Sequence, residues 1–196
     1  MGTQATTHTT LLARLGDGAD SAAWQEFHDR YGELLRGFAR RRGLQPADTD
    51  DVAQDVLLAL IRIMPDFRYD PAKGKFRSYL KTAALRAILK RSRQRRGEVD
   101  IGDIEEATRI ANVDPEVEEA WEAEWRQYHL RLAMRAIDVE FDGAHRQAFQ
   151  RYAVEGRGAR ETAAALNMSL ESVYQAKSRV MKRLAQLIEL QIQDEG

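Results

Sequence analysis

Residues 159–184 read ARETAAALNMSLESVYQAKSRVMKRL. Two helical patterns meet here across a three-residue turn, Asn167-Met168-Ser169. The first is short, Ala159–Leu166, and carries Ala163 and Ala165, small enough for a close helix crossing. The second runs from Leu170 to about Leu187. Asn167 stands where the chain must turn through the left-handed region, which Asn tolerates. Ser169 is placed to cap the second helix. Val173, Ala176, Val180 and Leu184 recur at steps of three and four and form its inner stripe. This is the grammar of a helix-turn-helix. Ser172, Tyr174, Gln175, Ser178 and Arg179 fall on the outer side, with Lys177 beside them. Gln and Arg suit base edges, and Lys and Ser suit phosphates. A plain αα-hairpin with a solvated face shares this spacing, so DNA contact needs support from elsewhere in the chain.

The rest of the chain is patterned in the same way. Four prolines, Pro46, Pro65, Pro71 and Pro115, punctuate long stretches of helical periodicity. No stretch alternates apolar and polar residues over a strand length, so the expected fold class is all-α. A short helix, Leu11–Leu15, precedes one over about Ser21–Gly43 with Trp24, Phe27, Tyr31, Leu34, Leu35 and Phe38 on one face. Arg40, Arg41 and Arg42 suit the negative end of its dipole, and Gly43 ends it. The next helix is expected to open at Asp48 as N-cap, turn Val52, Val56, Leu57, Leu60, Ile61 and Met64 inward, and stop at Pro65. After a loop with turn signals at Asp70-Pro71 and Lys73-Gly74, a basic helix over about Phe76–Arg96 turns Phe76, Tyr79, Leu80, Ala83, Ala84, Ala87 and Ile88 inward. Asp114-Pro115 opens a further helix to about Ile137, with Trp121, Trp125, Tyr128 and Leu132 facing a partner. Three more helices are expected over 142–193. The expected organisation is a flexible N-terminal arm (1–9), a helical domain (10–97), an acidic linker (98–113) and a helix-turn-helix domain (114–196).

Charge is segregated along this chain. Residues 73–97 hold ten Lys or Arg and no acid, and residues 98–124 hold eleven acids and one Arg, in a chain of formal net charge −1. Such separation points to one segment that meets a polyanion. Phe67, Tyr69, Phe76 and Tyr79 interleave the basic run and offer surfaces for stacking unpaired bases. The uncompensated cations attract phosphates. A second signal is the acidic turn Asp48, Asp50, Asp51 and Asp55. It lacks a third ligand type and a Gly-marked calcium loop, so it reads as a face for a basic protein partner.

Several function classes are disfavoured. There is no Cys, which removes disulfides and thiolate metal sites and fits a reducing, cytoplasmic setting. His8, His28, His129 and His145 have no metal-ligand spacing. No apolar run approaches the roughly 20 residues of a membrane span. The N-terminus, MGTQATTHTT, lacks the basic start and apolar core of a secretory signal. Gly156 and Gly158 lack the strand and the Gly-Lys-Ser/Thr of a phosphate loop. No nucleophile–base arrangement is present, so neither an enzyme nor a cofactor is expected.

The stretches WQEFHDRYGELLRGFAR (24–40), DTDDVAQDVLLALIR (48–62), FRSYLKTAALRAILKRSRQRR (76–96) and AFQRYAVEG (148–156), leading into the helix-turn-helix, carry a resemblance. In this order and spacing the chain resembles bacterial sigma factors of the sigma-70 family, above all the small two-domain extracytoplasmic-function (ECF) group. The resemblance implies a protein that binds core RNA polymerase and directs it to promoters. Asp50, Asp51, Gln54 and Asp55 would dock on the β′ clamp helices, with further contacts to the β subunit. Phe67, Arg68, Tyr69, Lys73, Lys75, Phe76, Arg77, Tyr79, Lys81, Arg86 and Lys90 would capture a flipped base and hold the opened strand of the −10 element. Ser172, Tyr174, Gln175, Lys177, Ser178 and Arg179 would read the −35 element. The acidic linker would thread through a channel built for nucleic acid.

Departures from the family pattern are Tyr79 where Trp is common, Leu85-Arg86 where Arg-Asn is common, Asn167 for the usual Gly, and residues 137–142 for Leu-Pro-x-x-x-Arg. An anti-sigma factor and a regulatory kinase are further partners the resemblance allows. Because Asp50, Asp51 and Asp55 are present, phosphorylation of Thr49 is not expected to be needed for docking. The alternatives are a sigma-like decoy that sequesters an anti-sigma factor, and a helix-turn-helix repressor.

Overall fold

The computed structural model describes residues 8–17, 20–65, 76–96, 109–110 and 114–194. The fold is all-α, and no strand occurs among the described residues. The chain forms two compact units, one reaching to Tyr128 and one over His129–Gln193. They divide inside the helix that opens at Pro115, further along the chain than the expected domain start at 114.

The first unit contains α1 (His8–Leu15), α2 (Ser21–Arg41), α3 (Pro46–Ile63), α4 (Phe76–Arg96) and the first half of α5 (Pro115–Glu140). Helix α2 packs against α1, α3 and α4 and supplies the centre of the core. Phe27, Tyr31, Leu34 and Phe38 recur along it at helical spacing and are fully buried. Asp20 caps it by accepting a hydrogen bond from the Ala23 N–H at 2.9 Å. At the other end Gly43 takes φ +86°, a conformation that glycine adopts without strain.

Two expectations for α3 are corrected. The helix opens two residues before Asp48, with Pro46 in its first turn and Gln45 extended ahead of it at ψ 153°. Proline disfavours helical geometry in the residue before it and is itself pre-set for the first turn. Ile61, expected inside, is 46% exposed, as is Leu58. The buried stripe runs instead through Val52, Ala53, Val56, Leu60 and Met64.

The second unit contains the rest of α5, α6 (Gly143–Phe149), a π-helical turn (Gln150–Val154), α7 (Ala159–Leu166) and α8 (Leu170–Asp194). Its core joins Ala133 and Ile137 of α5, Phe149 of α6, and Val180 and Leu184 of α8. Asp142 caps α6, accepting from the His145 N–H at 3.0 Å. That bond and the His145 side chain hold the Asp142 carboxyl below the usual carboxylate range.

Candidate nucleic-acid interface and docking face

In the second unit the turn between α7 and α8 forms as its residue types require. Asn167 adopts φ 51°, ψ 44°, in the left-handed region. The Met168 N–H reaches back to the Ala163 carbonyl at 2.9 Å, which closes the end of α7. Ser169 Oγ accepts from the Ser172 N–H at 3.0 Å and so caps α8. Val173, Ala176, Val180 and Leu184 are buried. Ala165, expected at the helix crossing, is exposed, and Thr162 and Ala163 occupy the buried side of α7.

The inner stripe leaves Tyr174, Gln175, Lys177, Ser178 and Arg179 exposed along one side of α8. Ser172 is half-buried, with its hydroxyl 2.7 Å from that of Ser169. Gln175 donates to Glu171 at 3.0 Å. One neighbour was not among the sequence-derived residues. Tyr152, in the π-helical turn, meets Tyr174 edge to face at 5.6 Å and 71°, and Lys177 Nζ lies 5.1 Å from the centre of its ring. Farther along α8, Arg183 donates to both carboxylate oxygens of Glu140 at 2.6 and 2.8 Å, which lowers the Glu140 pKa and raises that of Arg183.

In the first unit, the acidic turn of α3 is tied to the basic helix α4. Arg91 pairs with Asp51 at 3.0 Å and with Asp55 at 3.5 Å, Lys90 with Asp55 at 3.6 Å, and Arg95 with Asp48 at 3.2 Å. Asp50 pairs with Arg36 of α2 at 2.6 Å. Gln54 is exposed. Leu58 and Ile61 continue its face at steps of four and three and extend it as an exposed apolar strip. The period of α3 carries that signal: Leu58 lies outside the expected inward face, and only Ile61 is placed on it.

The predicted strand-binding residues divide into three groups. Phe67, Arg68, Tyr69, Lys73 and Lys75 lie outside the described residues. Phe76 and Lys81 are not on an open surface. Phe76 is 1% exposed, edge-on to Phe27 and Tyr31 at 6.2 Å, and belongs to the core. Lys81 is 8% exposed and pairs with Glu118. Arg77 is bound to Glu122, and its guanidinium lies 4.8 Å from the centre of the Trp125 ring. The third group borders a groove of about 470 Å³ between α3 and α4, where Tyr79, Arg86 and Lys90 are joined by Arg62 and Arg93. Burial raises the Tyr79 pKa, so its phenol stays neutral.

The first half of α5 explains why Arg77 and Lys81 are covered. Glu118, Glu122 and Glu124 meet Lys81, Arg77 and Arg41 in turn. Trp121 packs edge-on to Phe38 at 5.1 Å, and Tyr128 stacks on Tyr31 at 5.2 Å while its hydroxyl accepts from Arg30 at 2.8 Å. Part of the acidic segment is thus the counter-charge of the basic one. Among the described residues, no helix is long and apolar enough to cross a membrane, and no cluster of three His, Asp or Glu is placed to hold a metal.

The second unit folds as a helix-turn-helix, and the first carries a basic groove and a partly apolar strip beside acidic residues. The family model for sigma-70 region 2 matches residues 27–98. The RNA polymerase sigma factor CnrH of Cupriavidus metallidurans is 29% identical over 186 residues, covering 91% of this chain and 93% of CnrH. The RNA polymerase sigma factor NccH of Alcaligenes xylosoxydans xylosoxydans is 28% identical over 184 residues, with 91% and 93% covered. The solved structure of CnrH in complex with the cytosolic domain of CnrY aligns with a TM-score of 0.36 at 23% identity, over 92% of this chain and 96% of that one. Over nearly its whole length the chain is thus similar to RNA polymerase sigma factors, and residues 27–98 match sigma-70 region 2.

Proposed function

We propose that this chain is an RNA polymerase sigma factor of the ECF group of the sigma-70 family that recognises both promoter elements, with the second unit reading the −35 element and the first holding the opened −10 strand. The observation that carries this is the side of α8 left exposed by its buried stripe, where Gln175, Lys177 and Arg179 stand on a helix set by a left-handed Asn and a Ser cap. Gln and Arg can pair with base edges in the major groove, and Lys can meet phosphate. On α4, Arg86 and Lys90 border the groove floored by Tyr79, where cations and an aromatic ring suit a single strand. The −10 contacts are assigned to this groove and to the residues from Phe67 to Lys75, with Phe76 supporting them from the core.

Docking on the polymerase β′ clamp helices is assigned to the exposed strip Gln54, Leu58 and Ile61 of α3, with Asp51 and Asp55 at its acidic edge. Substituting the two Asp residues is a poor test, because it would leave Arg91 without its carboxylates. Leu58→Glu changes an exposed side chain and leaves the core intact. The test is co-elution of the full chain with core RNA polymerase on size exclusion. Wild type is expected to co-elute, and Leu58→Glu to lose at least tenfold in affinity, about 1.4 kcal/mol. A folded Leu58→Glu protein that binds like wild type would remove this face from the interface. The promoter reading is tested by selecting DNA from a randomised pool with the assembled holoenzyme. Recovery of two spaced elements is expected, and recovery of none would refute it.

A further inference from the structure

We infer that Tyr152 is a positioning residue for promoter recognition, which orders Tyr174 and Lys177 of α8 before DNA arrives. The inference rests on the reading of α8 as the −35 recognition helix. Tyr152 lies in the π-helical turn that succeeds α6, where the Glu155 N–H reaches the Gln150 carbonyl at 2.9 Å. A π-helical turn inserts one residue into the helical repeat and rotates the residues beyond it. Such turns are costly and are found disproportionately at functional sites. No Pro or Gly lies between Gln150 and Val154 to account for this one.

The ring placed by this turn does little for the core. Tyr152 is only half-buried and stands outside the cluster of Ile137, Phe149, Val180 and Leu184. Its ring neighbours are two members of the exposed side of α8. Tyr174, 48% exposed, packs its ring edge to face at 5.6 Å. The Lys177 ammonium sits 5.1 Å from the ring centre, where the aromatic quadrupole attracts a cation. Tyr174 and Lys177 are one helical turn apart, so one ring restrains both. A Lys held in place before binding loses less rotamer freedom when it meets a phosphate. The same holds for a Tyr ring laid against DNA. Tyr152 itself need not touch the nucleic acid.

The test uses the full chain assembled with core RNA polymerase. The probe is a duplex recovered by the wild-type holoenzyme from a pool randomised upstream, compared with the same duplex carrying that element scrambled. The readout is the ratio of the two affinities. Tyr152→Leu is expected to lower the ratio about 5- to 10-fold. Tyr152→Phe, which keeps the ring, is expected to hold the wild-type ratio. Pentafluorophenylalanine at position 152 keeps the shape but reverses the quadrupole, and is expected to lower the ratio through Lys177. It carries the test if Tyr152→Leu fails to fold, since a purely structural ring would tolerate it. Tyr174→Ala and Lys177→Ala separate the two levels of the reading. If neither changes the ratio, or no duplex is enriched, the assignment of α8 falls and the role of Tyr152 falls with it. If they lower the ratio while folded Tyr152→Leu or the fluorinated protein matches wild type, the positioning role alone is overturned.

Discussion

Replacing Gly37 by Ala sets two effects of opposite sign against each other. Gly37 lies inside α2 and is buried. In a helix interior, Gly→Ala alone gains about 0.5–1 kcal/mol. A Cβ built on Gly37, however, would overlap the carboxylate of Glu124 on α5. That carboxylate is 7% exposed as part of Glu124 and accepts from Arg41 at 2.6 Å. Pushed aside, it would lose a charge-assisted hydrogen bond worth roughly 1.5–3 kcal/mol when buried. Because Arg41 is half-exposed, the cost discounts to about 1–2 kcal/mol. Gly37→Ala should therefore be neutral to destabilising by about 1.5 kcal/mol in the wild type. In a Glu124→Ala background it should stabilise by about 0.5–1 kcal/mol, a coupling of about 1–2 kcal/mol. The assay is urea unfolding of the four proteins monitored by tryptophan fluorescence. All three tryptophans, Trp24, Trp121 and Trp125, lie in the first unit, so the signal reports on it. An equal effect of Gly37→Ala in both backgrounds would refute the seating of α5 on α2 through this glycine.

Thr49 is 2% exposed and donates its hydroxyl to the Pro46 carbonyl at 2.7 Å, so a kinase could reach it only by unwinding the start of α3. Thr49→Ala is expected to cost about 1 kcal/mol in unfolding and to leave polymerase co-elution unchanged. Loss of co-elution by a folded Thr49→Ala protein would contradict this. At the helix-turn-helix, Asn167→Ala should destabilise by about 1–2 kcal/mol and Asn167→Gly should not, because only the first meets a left-handed penalty. Equal thermal shifts would contradict that account. Asp20, Asp142 and Glu140 have lowered pKa values, Asp20 chiefly through Arg14, Asp142 through His145 and Glu140 through Arg183. A depressed carboxyl contributes stability above its unfolded pKa and loses it as pH falls through the folded one. These three carboxyls should withdraw their contribution as pH falls below about 4, and Asp142→Asn should flatten part of that decline in melts taken across the range.

The elements closed by local chemistry were the legible ones. Asn167, Ser169 and the stripe from Val173 to Leu184 could be read directly because each acts within a turn or two of its own position. Asp114 was likewise readable as a cap, and it accepts from the Glu116 N–H at 2.9 Å. The contacts that escaped depend on residues far away in the chain. The pairing of Lys81 with Glu118, of Arg41 with Glu124 and of Arg30 with Tyr128 joins positions 37, 83 and 98 apart. No local period announces such contacts, so Lys81 and Arg77 look solvent-facing in sequence. Tyr152 escaped because a π-helical turn breaks the repeat on which face assignment depends.

The acidic start of α5 gives the protein counterions that cannot diffuse away. A basic surface in solution condenses small anions, and their release on binding a polyanion is what makes affinity fall steeply with salt. Arg77, Lys81 and Arg41 already carry tethered carboxylates, from Glu122, Glu118 and Glu124. A phosphate taking the place of one of these carboxylates exchanges one anion for another and liberates little. If this surface meets DNA as proposed, cations outside those pairs, such as Arg86, set the salt dependence, which is then expected to be shallower than the ten basic residues of 73–97 suggest.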